Sequence, residues 1–128
     1  MSALVKSALA YTLPVFALAF ALGALRVTLI APATGPLLAV ALEVPLVLAL
    51  SWLVAGRVVK RWPLPPAQRP ALAVLAFALL MLLEGLTALA FGQTPAQFLV
   101  AMTTPAGALG LAGQIGFALI PALRQPSG

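Results

Sequence analysis

Four apolar stretches, at about residues 8–25, 36–56, 71–91 and 105–123, leave this chain little choice of fold. A helix needs about 20 apolar residues to cross the hydrocarbon of a bilayer, and each stretch is close to that length. Only 7% of residues are charged, against about a quarter in a soluble domain, so the chain could not cover a water-facing surface. The expected fold is all-α: an integral membrane four-helix bundle forming a single domain over residues 1–128.

The starts of these stretches carry helix chemistry. Pro36, Pro70 and Pro105 each stand where a first helical turn begins, the position at which a missing N–H costs nothing. Thr104 before Pro105 is a good N-cap. Thr94-Pro95-Ala96-Gln97 has the form of a capping box, which predicts a short helix over about residues 95–102, between spans three and four. That helix has no charge and carries Phe98, Leu99, Val100 and Met102, so it is expected to lie at the membrane surface.

Charge placement sets the orientation. If four spans alternate, Lys6, Arg57, Lys60, Arg61, Arg69 and Arg124 fall on one side and Arg26 on the other. The positive-inside rule then places both termini in the cytoplasm. Residues 57–70 read as a basic, Pro-rich, stiff extended connector. Trp52 and Trp62 are expected as interfacial anchors. The first stretch also has the marks of a signal peptide, with Lys6, an apolar core and the run Ala19-Phe20-Ala21. A retained span is expected, since its loss would leave three spans and a poorer charge distribution. The run at Leu18–Leu22 recurs at Leu75–Leu79, which a composition this rich in Ala and Leu explains by chance.

The chain's two acidic residues, Glu43 and Glu84, both fall inside these stretches. An ionisable side chain in hydrocarbon is costly and points to function by default. At about 1.5 Å rise per residue, Glu43 lies ~11 Å into its span, Glu84 ~11 Å and Gln114 ~14 Å, all measured from the outer end. Arg26 at the outer end of the first span can snorkel toward them. Glu43, Glu84, Gln114 and Arg26 are therefore expected to form one polar cluster for binding or proton coupling. Two neighbouring carboxylates in a low dielectric cannot both carry charge cheaply, so one is expected to hold a proton. Interhelical hydrogen bonding that merely fastens the bundle is the competing expectation. Pro45 is expected to kink its helix and to free the carbonyl of Ala41 beside Glu43. Gly107, Gly110, Gly113 and Gly116 predict a fourth helix built for close packing, within the chain or against another subunit.

Several classes are unsupported. With no His and no Cys, no metal centre, haem site or disulfide can be built on those residues, and no cofactor is expected. Ser2, Ser7, Ser51 and Ser127 have no His or Asp to activate them, so no enzyme is expected. The net charge of +5 gathers at membrane edges, which favours anionic lipid over nucleic acid.

The run from Glu43 to Trp52 (Glu-Val-Pro-Leu-Val-Leu-Ala-Leu-Ser-Trp), followed by basic residues, resembles that of a group of small four-span bacterial inner-membrane proteins of uncharacterised activity. The run from Pro105 to Gln114 is similar to theirs too. The resemblance covers most of the chain and implies the fold and a place in the cell inner membrane as a multi-pass protein, with no functional residues. Small multidrug-resistance transporters, also four-span with an essential membrane Glu, are a looser comparison. Their Glu lies in the first span, where this chain has none. Two functions are therefore expected. The first is an accessory, assembly or scaffolding membrane protein, packing with itself or with other membrane proteins in the lipid bilayer. The alternative is an oligomeric proton-coupled small transporter or channel using the intramembrane carboxylates.

Overall fold

A computed structural model describes residues 2–124. Ser127 and the C-terminal edge of the expected domain lie outside the described residues. The described chain is all-helical: α1 (Ala3–Leu25), a π-helical turn (Arg26–Ile30), α2 (Ala31–Thr34), α3 (Pro36–Arg61), a 3₁₀ turn (Pro66–Gln68), α4 (Arg69–Ala90), α5 (Pro95–Ala101) and α6 (Pro105–Leu123). Among the described residues, four helical segments are long and apolar enough to cross a membrane.

The caps explain the boundaries. Ser2 Oγ accepts from the Val5 N–H at 3.2 Å and opens α1. Gly35, at φ 88°, ends α2 in a backbone conformation open chiefly to glycine, and Pro36 starts α3 at once. Thr94 Oγ1 accepts from the Gln97 N–H at 3.1 Å while Gln97 Oε1 accepts from the Thr94 N–H at 2.9 Å, so both halves of the capping box are made. Thr104 Oγ1 caps α6 by accepting from the Gly107 N–H at 3.0 Å.

Two boundaries differ from expectation. The first segment does not stop at Leu25; it runs helically to Thr34, so Arg26 sits inside it rather than at its end. The second helix continues past Gly56 to Arg61, because Arg57, Lys60 and Arg61 suit the negative end of a helix dipole. The stiff connector therefore shrinks from residues 57–70 to residues 62–68. The fourth segment, Pro105–Leu123, has the bounds expected, with Pro121 inside its last turn.

The long helices form a ring: α1 packs on α3 and α4, and α6 packs on the same two. Helices α3 and α4 thus occupy opposite corners. The basic residues other than Arg26 gather at one end, where the Arg69 guanidinium donates to the Ala122 carbonyl at 3.3 Å and Arg124 lies 4.8 Å over the Trp52 ring. Close packing is concentrated in that half. Tyr11, Val15, Ala55, Ala76, Leu80 and Phe117 form its buried centre. The other half of the ring is not filled.

Candidate functional site

The unfilled half is a cavity of about 880 Å³ inside the ring. Val15, Leu80 and Phe117 make its floor, and Phe98 and Met102 of the α5 segment overhang its far end. Glu43, Glu84, Gln114 and Arg26 all line it.

The four polar side chains are grouped in two pairs. Arg26 Nε donates to Glu43 Oε2 at 2.8 Å, with the side chains 32% and 16% exposed. The π-helical turn positions Arg26. Such a turn carries one residue more than an α-turn and re-aims the side chains that follow, and it often marks a working site. Across the ring, Gln114 Nε2 donates to Glu84 Oε2. Gln114 Oε1 is buried and has no hydrogen-bond partner among the described residues. The expected cluster is therefore split: one carboxylate has a cation, the other a neutral amide. No hydrogen bond joins Glu43 to Glu84 among the described residues.

Pro45 lies within α3, which runs through it unbroken. Thr87, one turn from Glu84, donates to its own helix at the Leu83 carbonyl, 2.8 Å away.

The glycines of α6 divide by role. A Cβ on Gly113 would stand 3.0 Å from Val44 Cγ1, and one on Gly116 would stand 3.2 Å from Leu48 Cδ2, so both let α6 approach α3. The other two depart from the expected helix-packing row. Gly107 meets the Ala101 carbonyl at the end of α5, not another long helix. Gly110 faces open space and lines the cavity. The physical reason is the cavity itself, into which the Cβ position of Gly110 opens.

Sequence reasoning missed Tyr11 and Thr12. Tyr11 is fully buried beneath the floor, its ring stacked on Phe117 with centroids 4.5 Å apart and planes 10° from parallel. Its hydroxyl donates to the Phe117 carbonyl. In a regular helix that carbonyl would accept from residue 121, but Pro121 has no N–H. Tyr11 satisfies a carbonyl that a proline leaves bare. The available signal was the face Ser7, Tyr11, Val15 on the first helix, with the chain's single Tyr at its centre.

Comparison with protein-family models, with curated proteins and with solved structures finds no match to this chain.

Proposed function

We propose that this chain is a multi-pass protein of the cell inner membrane, not an enzyme, with both termini cytoplasmic, and that its cavity carries protons on Glu43 and Glu84. The observation that supports this is that carboxylates from opposite corners of the ring line one cavity. Charge counting adds to it. Arg26 offsets Glu43, and among the described residues no salt bridge reaches Glu84. An uncompensated carboxylate among apolar walls costs several kcal/mol, so the site is balanced only by a proton or a monovalent cation. The unmet Gln114 Oε1 offers an acceptor beside Glu84 for any N–H or O–H that arrives there. Exchange of a proton for a cation at Glu84 is the simplest cycle this arrangement supports.

Orientation follows from the basic residues gathered at one end, which favour the cytoplasmic side. On this reading the cavity opens outward, and α5, with Leu99 and Val100 exposed and no charge, lies at the outer interface. The scaffolding reading drew on the chain's small size and on a glycine-lined fourth helix packing within the chain or against another subunit. Gly113 and Gly116 lie against Val44 and Leu48 of the same chain, which favours packing within the chain at those two positions. The cavity is built by one chain. Self-association stays in the proposal as the means of completing a passage across the membrane.

The test is proton uptake into proteoliposomes under an imposed pH gradient. The parent protein is expected to load protons, and Glu84→Gln and Glu43→Gln to abolish loading while folding normally. Equal loading by the parent and both variants would leave the carboxylates as fasteners.

A further inference from the structure

Five of the chain's six phenylalanines, Phe16, Phe20, Phe91, Phe98 and Phe117, line the cavity. They come from α1, the end of α4, α5 and α6, so they surround the space from several sides. Phe20 and Phe91 stack across the seam between α1 and α4, with centroids 6.4 Å apart. They are 47% and 77% exposed, so this wall is an accessible surface and not packing. The face of an aromatic ring attracts a cation held within about 6 Å of its centre.

Within this aromatic space one carboxylate oxygen is open. Glu84 Oε2 accepts from Gln114 Nε2, but among the described residues no hydrogen bond reaches Glu84 Oε1, and that atom is not sealed from its surroundings. The ionised set of Arg26, Glu43 and Glu84 carries one net negative charge. A single positive charge balances it. A dication, a neutral molecule or a zwitterion each leaves a net charge among apolar walls, which is costly. Hard metal ions take six or more oxygen ligands, and among the described residues no three His, Cys, Asp or Glu stand together to supply them. The volume points the same way. About 880 Å³ is far more than a bare ion fills and falls in the range of small-molecule pockets, roughly 300–1,000 Å³.

We propose that the cavity binds an amphiphilic organic monocation: an ammonium group whose N–H donates to Glu84 Oε1, and an apolar body that lies on the phenylalanine walls. This deepens the exchange proposed at Glu84 and rests on it. The step balances simply. The Glu84 O–H gives its proton to water, the ammonium takes its place on the carboxylate, and no bond within the cation changes. Phe20 and Phe91 set the selectivity, because their faces favour a positive charge joined to an apolar body over a neutral molecule of the same shape. With the bundle in a bilayer, the seam between them is where such a body enters from lipid.

The experiment measures binding of phenylbutylammonium to the full chain in lipid nanodiscs, against empty nanodiscs. Phenylbutanol has the same body without the charge, tetramethylammonium the charge without the body, and butane diammonium a second charge. Phenylbutylammonium is expected to bind the parent at least tenfold more tightly than each of the three. Glu84→Gln is expected to weaken its binding roughly tenfold or more, the loss of a hydrogen bond to a charged group. Phe20→Leu combined with Phe91→Leu keeps the walls apolar and is expected to weaken it by about threefold or more. Equal binding by the parent and Glu84→Gln, with proton uptake into proteoliposomes still abolished by Glu84→Gln, would overturn the proposed ligand and leave the proton-carrying role of Glu84 standing. Proton uptake that does not depend on Glu84 would overturn both. The parent decides even if a variant fails to fold: phenylbutanol or butane diammonium bound as tightly as phenylbutylammonium would overturn the assignment of a monocation.

Discussion

Arg26 reaches Glu43 from within a helix, not from beyond its end: Nε stands 2.8 Å from Oε2, and the helical chain continues to Thr34. The ion pair therefore fixes the first helix against the third at the mouth of the cavity. Arg26→Ala is expected to lower stability by about 2 kcal/mol, less than the ~3–5 kcal/mol of a fully buried pair, because the arginine is 32% exposed. Combining it with Glu43→Gln should recover most of the loss, since no charge is then stranded. Thermal unfolding in detergent of the two single variants and the double variant measures this coupling.

The Tyr11 hydroxyl and Pro121 form a second testable pair. Tyr11→Phe is expected to cost about 1–2 kcal/mol, because the buried Phe117 carbonyl loses its donor. In a Pro121→Ala background residue 121 regains an N–H, and the same change should cost markedly less. A double-mutant cycle on unfolding free energies reads the difference.

The glycines of α6 should respond unequally to one added methyl. Gly107→Ala drives a Cβ into the Ala101 carbonyl and is expected to cost about 1–3 kcal/mol. Gly110→Ala meets nothing within 4 Å and should be tolerated. Gly110→Leu should also fold, yet reduce proton uptake by filling the cavity. Unfolding temperatures and uptake rates, measured side by side, separate the effects.

The absence of cysteine makes orientation simple to measure. Lys60→Cys should be labelled by a membrane-impermeant thiol reagent only from the cytoplasmic side, and Gln93→Cys only from the outer side. The opposite pattern would invert the orientation and turn the cavity inward.

Much of this architecture was legible in the sequence because it is local. Pro36 and Pro105 mark helix starts, and the Thr94–Gln97 capping box is written in adjacent residues. Where a charge ended a stretch, the reading went astray. Arg26 looked like the end of a span because its partner, Glu43, lies on another helix. Arg57 to Arg61 looked like a connector, although basic side chains suit a helix C-terminus. Counting residues put Glu43, Glu84 and Gln114 at a common level. It could not say which would pair, since that depends on how each helix is turned about its axis. Tyr11 was invisible for a stronger reason. Its partner carbonyl is 106 residues away and is bare only because Pro121 sits one turn beyond it.

The measurement that bears most directly on a working rather than a fastening role for Glu84 is its carboxyl infrared band, followed through a pH titration of the protein in lipid vesicles. A working carboxylate exchanges its proton with water in the cavity. The parent should show a protonated-carboxyl band that rises and falls reversibly with bulk pH, is absent in Glu84→Gln, and shifts when a monovalent organic cation is added. A Glu84 band that stays constant across the titration and ignores the cation would contradict this, and would make the carboxyl a dry hydrogen-bonding strut.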